Sequence, residues 1–283
     1  MSKPQSRLIS RLRIAVLLLF AWLGLQAFYL EPSSLHTNHY PLALSSWPQP
    51  CTGLTVVVLA DLHVGAPHNG LTQLRKIVSE ANAVQPDLVL LAGDYVIQGI
   101  IGGEFIAPET AAAVLANLSA ELGVYAVLGN HDHWLDARRV AKALSDVGIT
   151  MLEDTHVALR KQACTFTLVG VSDFWEGAHD INKAFQNISA EEAIIAFTHN
   201  PDVFVQFPRP TSLAIAGHTH GGQVRFPWLG APIVPSEYGQ RFVAGEIVEQ
   251  GQTYFVSSGT GMSILPVRFG VPPEVSVLRL HSK

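Results

Sequence analysis

Residues 55–63 read TVVVLADLH, an aliphatic run that stops at Asp61 and is followed two positions later by His63. A run without polar alternation describes a strand covered on both faces, because a strand with one wet face alternates. The same pattern recurs in LVLLA (88–92), VYAVLG (124–129), FTLVGV (166–171), AIIAF (193–197) and SLAIAG (212–217). Between these runs, Leu71, Leu74, Ile77, Val78 and Ala81 fall at helical spacing. So do Ala112, Leu115 and Leu118, and then Val140, Ala143, Leu144 and Val147. Strands alternating with helices predict an α/β fold. Further strands are expected at Thr253–Val256 and Val275–Leu280, and Ser189 with Glu192 has the spacing of a capping box for a short helix.

The chemistry lies where the runs end. Asp61 and His63 follow the first, Gly93-Asp94 the second, Asn130-His131-Asp132 the third, His199 a later one, and His218-Thr219-His220 the next. The carboxyl ends of strands in open α/β sheets form the crevice where ligands bind. Taken singly, Asp-x-His is an ordinary turn pair, Asn-His-Asp a helix cap and His-x-His a solvated loop. Five such clusters in order, each at a strand end, point instead to a metal site. Two carboxylates, a carboxamide and four imidazoles exceed what one ion needs and suit two, with Asp94 shared between them. The absence of thiolates argues against a structural zinc site, and Mn, Fe and Zn all accept such donors. A bridged ion pair can bind a phosphoryl oxygen and acidify a water.

The series D-L-H at 61–63, G-D at 93–94, G-N-H-D at 129–132, His199 and G-H-T-H at 217–220 resembles the calcineurin-like metallophosphoesterase superfamily, over roughly Leu54 to Leu280. The resemblance implies a two-sheet β-sandwich flanked by helices, with a dinuclear centre at the strand ends. It implies one ion on Asp61, His63, Asp94 and His220, and a second on Asp94, Asn130, His199 and His218. His131 would stabilise the transition state or protonate the leaving oxygen, and Asp132 would orient His131. Metal-bound hydroxide is expected to attack phosphorus directly, since no Ser or Cys nucleophile stands among the motifs.

The chain has 283 residues, 48% of them hydrophobic and 14% charged, enough for one large catalytic domain. A net charge of −5 supplies no general attraction for a polyanion, so no long nucleic acid is expected as partner. Cys51 and Cys164 belong to no metal or redox motif; they are read as structural or free, and could pair in an oxidising compartment. Lys3, Arg7, Arg11 and Arg13 precede an apolar stretch from Ile14 to Leu30, 17 residues long, with no further Lys or Arg until Arg75. We read 1–13 as a basic N-terminal region, 14–30 as a retained signal-anchor, 31–53 as a linker and 54–283 as the phosphoesterase domain. The charge asymmetry predicts a single-pass protein of the inner membrane with the domain on the extracytoplasmic side. A helix lying on the membrane would instead leave the domain on the cytoplasmic face.

The blocks GHTHGGQVRFP (217–227) and SSGTGMSILPVRFGVPPEV (257–275) resemble a bacterial, membrane-associated branch of the superfamily. That branch is similar to enzymes acting on phosphodiester or pyrophosphate bonds, including UDP-diacylglucosamine hydrolases of lipid A synthesis. The expected substrate is therefore a phosphodiester or pyrophosphate, membrane-associated or lipid-linked. Arg225 and Arg268 are candidates for its phosphate, as bidentate donors or else as structural ion pairs. Phe226, Trp228 and Phe269 are read either as an apolar lip for an acyl chain or as core, and Asp173 to Trp175 as neighbours of the cleft. The competing functions are a nuclease or cyclic-nucleotide phosphodiesterase on the same fold, and a non-catalytic membrane-bound metal-binding protein.

Overall fold

The structure is a computed structural model and describes residues 4–283, with side chains from Leu8 onward. Lys3 and the side chain of Arg7, both counted in the basic N-terminal region, lie outside the described residues. Two six-stranded sheets pack face to face. The first has the order β1 (His36–Leu44), β12 (Glu274–Ser282), β2 (Leu54–Leu59), β3 (Leu88–Ala92), β4 (Val124–Val127), β5 (Thr150–Met151). The second runs β10 (Gly245–Glu249), β11 (Gln252–Val256), β9 (Leu213–Ala216), β8 (Ile194–Phe197), β7 (Cys164–Gly170), β6 (Thr155–Lys161).

Val56 and Val58 enter the core between the sheets with Leu90, Phe166, Leu168, Ile195, Phe197 and Ile215. Their neighbours Val57 and Leu59 face the other way, into a second core. That core is closed by the apolar faces of α3 (Leu71–Ala83), α4 (Pro108–Leu115) and α5 (Asn130–Asp146). The outer face of the second sheet carries a third core, with Ala184 and Phe185 of the short α6 (Ile181–Phe185) and Val203 and Phe204 beyond β8. Both faces of each central strand are thus dry, which is why these runs show no alternation. Cys51 and Cys164 form a disulfide that ties the segment before β2 to the start of β7, at the end of the sandwich away from the strand termini that carry the polar clusters.

The stretch expected to be a linker differs from that reading. Residues 36–44 form β1, an edge strand parallel to β12 from His36↔Glu274 to Leu44↔Ser282, with Leu42 and Leu44 fully buried. Its first half is polar because an edge strand has a wet side, and Pro41 is tolerated there because an edge N–H needs no partner. Ser189 and Glu192 close a turn, with the Ser189 N–H on the Glu192 carboxylate, and no helix follows because β8 begins two residues later.

The N-terminus is helical from Pro4 through Ser33: α1 (Pro4–Leu25), a π turn (Gln26–Leu30) and α2 (Glu31–Ser33). Leu8–Ser33 is long and apolar enough to cross a membrane, with a mean hydropathy of 2.0 and its most apolar window entirely unburied. The lower end is fastened to the body: the Arg268 N–H donates to Ala27 O (3.0 Å) and the Val271 N–H to the buried Glu31 carboxylate (2.5 Å).

Candidate metal centre

Strands β2, β3, β4, β8 and β9 deliver Asp61, His63, Asp94, Asn130, His199, His218 and His220 to one buried place. Five of these residues depart from ordinary backbone: Asp61, His63, Asp94, His218 and His220 have φ of 49°, 38°, 59°, 69° and 51°. Left-handed backbone is uncommon for residues with a Cβ and costs on the order of 1–3 kcal/mol each, so the fold holds these side chains against strain. Gly93, with φ 86°, is required where it stands, because a Cβ would lie 2.7 Å from both Gly129 N and His199 Nδ1.

Their donor atoms face one another. His63 Nε2 is 3.2 Å from His220 Nε2 and 3.4 Å from Asp94 Oδ2, and His220 Nε2 is 3.5 Å from Asp61 Oδ1. On the other side of Asp94, His199 Nε2 is 3.4 Å from the same Oδ2, 3.1 Å from Asn130 Oδ1 and 3.1 Å from His218 Nδ1. Donors that share an ion at about 2.0–2.2 Å lie roughly 3.0–3.5 Å apart, so both groups fit a cation. Tautomers agree. His63 Nδ1 meets Val96 O (3.0 Å) and His199 Nδ1 meets Ala92 O (2.8 Å); a carbonyl only accepts, so in each neutral ring the proton is on Nδ1 and the Nε2 lone pair points inward. Burial pushes His63 and His218 down to about 3, leaving both neutral and free to ligate at physiological pH. Burial would also lower His199, but the Asp94 carboxylate outweighs it and raises that ring well above the ordinary range. The pocket therefore calls for positive charge beside Asp94. The buried His/Asp clusters are consistent with a dinuclear metal site.

His131 stands over the centre at the first turn of α5. Its Nδ1 meets Gln98 Oε1 (3.0 Å), its Nε2 meets Ser263 Oγ (3.2 Å), and Gln98 Nε2 donates back to its carbonyl (3.0 Å). Asp132 does not orient His131, contrary to expectation. As the third residue of α5 it turns back, accepting from Gly129 N (2.9 Å), Asp94 N (2.8 Å), Tyr95 N (2.9 Å) and Val96 N (3.3 Å). Gln98 takes the orienting position, and nothing in its spacing marks it in the sequence.

The two arginines are also corrected. Arg268 is fully buried, and its guanidinium donates to the carbonyls of Ser258, Gly259, Gly261 and Val271, so it holds loops together inside the body instead of facing the cleft. Arg225 is exposed in a different groove, beside Trp22 and Glu31. Among the described residues the wall of the cleft over the metal centre, of about 400 Å³, contains no Lys or Arg and includes Trp134, Trp175, Ile233, Pro235 and Ile264. Trp134 packs on His131 (4.5 Å between ring centres) and Trp175 on His218 (4.4 Å). Trp175 was expected beside the cleft from its position after β7, whereas nothing in the sequence marked Trp134.

The calcineurin-like phosphoesterase family matches residues 54–222, a span that contains every one of the converging donors. This chain belongs to that family. It is 28% identical over 260 residues to the uncharacterized metallophosphoesterase YkuE of Bacillus subtilis, covering 90% of this chain and 89% of that protein. It is 30% identical to the phosphodiesterase YaeI of Escherichia coli over 260 residues, 89% of this chain and 90% of that protein. A zebrafish (Danio rerio) transmembrane protein with a metallophosphoesterase domain is 29% identical over 81% of this chain and 53% of its own length. This calcineurin-like phosphoesterase is thus a metal-dependent enzyme that hydrolyses a phosphoester.

Proposed function

We propose that this phosphoesterase cleaves a phosphodiester or pyrophosphate bond in an amphiphilic, membrane-associated substrate at a two-ion centre. The observation that carries the reading is the convergence of inward lone pairs on either side of Asp94. Asp61, His63, Asp94 and His220 would hold one ion, and Asp94, Asn130, His199 and His218 the other, with Mn, Fe or Zn suited to such donors. When bound, the ions supply the charge that a phosphoryl oxygen needs and lower the pKa of a water. Gln98 keeps the His131 proton on Nδ1 in the neutral ring, so Nε2 is the basic nitrogen, and it delivers a proton to the leaving oxygen only after taking one up. Asp132 locks the loop after β3 onto the first turn of α5 and so fixes Asp94 relative to Asn130. Water attacks phosphorus in line. Ser263, whose Oγ is 3.2 Å from His131 Nε2, is a hydroxyl placed to compete. Inversion at a chiral phosphorothioate diester supports direct attack, whereas retention assigns a covalent step to Ser263.

The apolar helix supports a membrane anchor, with Leu54–Lys283 and β1 as the catalytic body. The disulfide, which persists in oxidising compartments, supports the extracytoplasmic face. A second reading has its own support: Trp134 and Trp175 are exposed aromatic rings in the cleft wall, a surface that also suits a nucleobase. The test is elemental analysis of the purified chain together with hydrolysis of bis-p-nitrophenyl phosphate, then of a lipid-linked pyrophosphate against a cyclic dinucleotide. About two ions per chain and preference for the lipid-linked substrate are expected. Preference for the dinucleotide transfers the assignment to a nucleotide phosphodiesterase, and metal without any turnover to a binding protein.

A further inference from the structure

The point where α1 meets the body is set by topology. β1 runs parallel to β12, and β12 runs antiparallel to β2, with Ser276 opposite Val58. The start of β1, to which the helix leads, therefore lies at the same end of the sheet as Asp61, Asp94 and Asn130. Two loops join the cleft to the foot of the helix. Gln223, in the cleft wall, exchanges hydrogen bonds with Ser263 (2.7 and 3.0 Å); Arg225 N–H donates to Phe269 O (2.7 Å); and Arg268 N–H donates to Ala27 O (3.0 Å). Wall, strap and helix foot are one hydrogen-bonded unit.

This unit ends in an apolar point. Phe226 and Gly230 exchange backbone hydrogen bonds (2.9 and 3.0 Å), closing a tight turn with Pro227, Trp228 and Leu229 at its tip. Trp228 has φ 66° and a relative exposure of 104%, and Leu229 is 67% exposed. A tryptophan in left-handed backbone and wholly in water has two costs and no partner within the body. The groove beneath the tip is lined by Trp22 of α1, Arg225, Phe226 and Phe269, so the tip stands beside the membrane-crossing helix with a cation at its base. Apolar tip, interfacial tryptophan and adjacent arginine match the layering of acyl chain, headgroup level and lipid phosphate.

We infer that the 226–230 turn dips into the leaflet that α1 enters, seating the metal cleft against a phospholipid surface. The inference rests on the proposed reading of α1 as an anchor and specifies where the body sits on the bilayer. Substrate then reaches the metal centre from the lipid surface, past the apolar wall of Ile233 and Ile264, which are 79% exposed.

The test uses the full chain reconstituted in vesicles of phosphatidylglycerol and phosphatidylcholine, with and without bromine on the upper acyl chain of the latter. The emission of Trp228 is taken as the difference between wild type and Trp228→Phe, a change at an exposed position that leaves the core untouched. Quenching of that difference signal by the brominated lipid, together with shielding from aqueous iodide, is the expected result. Quenching by iodide alone overturns the inference, since the turn is then in water. Protection from both quenchers also overturns it, because the turn is then covered by protein, such as a second copy of this chain. A chain that fails to float with the vesicles refutes the anchor itself, whereas one that floats with Trp228 in water refutes only the seating. None of these readouts depends on turnover.

Discussion

Asp132 accepts four backbone N–H groups while touching neither His131 nor the lone pairs of the metal centre. Asp132→Ala leaves those donors buried and unpaired, which costs about 2–4 kcal/mol in urea unfolding; a variant as stable as wild type would show that the carboxylate is not the bracket we describe. His131→Ala acts differently. Activity on bis-p-nitrophenyl phosphate is expected to fall by about 10²–10³-fold with metal content unchanged, and loss of metal in that variant would move His131 into the ligand set. Asp61 adds a pH dependence, because burial raises its carboxyl to about 7 in the metal-free protein. A proton must leave before a cation binds, so metal affinity climbs as pH rises through about 7. Titration calorimetry in two buffers of unlike ionisation enthalpy checks this; equal heats at pH 6.5, meaning no proton released, would contradict it.

At the scale of elements, the central strands were legible because both their faces are dry: the runs at 55–60, 88–92, 193–197 and 212–217 correspond to β2, β3, β8 and β9. Strands with a wet face were not. β1, β6 and β10 carry His, Thr, Arg and Glu at their open positions, and β5 has only two residues. The metal centre was legible through spacing, since each donor follows its strand directly. Gln98 and Ser263 were not, because they come from loops whose path only the folded body defines. Arg225 and Arg268 misled in the same way: a guanidinium near a motif says nothing of which way it faces. The Cys51–Cys164 bridge spans 113 residues and lies at the end of the sandwich opposite the cleft. Replacing both cysteines with serine should lower stability by about 2–5 kcal/mol and leave turnover of a soluble diester unchanged. Lost turnover in a folded double variant would mean that the bridge reaches the site.

For the whole molecule, the strained ligand loops and buried charges mean that bound ions would be part of the fold. Stripping them with a chelator should abolish hydrolysis and lower the thermal midpoint by roughly 5–10 °C, both recovered on adding metal back. An unchanged midpoint would mean that the loops hold their left-handed backbone unaided. The apolar helical stretch Ile14–Leu30, 17 residues or about 26 Å long, comes close to the hydrocarbon thickness of a bilayer. Its foot, the metal centre and the Trp228 turn share one end of the sandwich. The chain's last strand, parallel to its first, runs away from that end and pairs Ser282 with Leu44, about 30 Å further on. A reporter or purification handle fused after Lys283 therefore projects from the pole opposite the metal cleft, where it does not crowd the site.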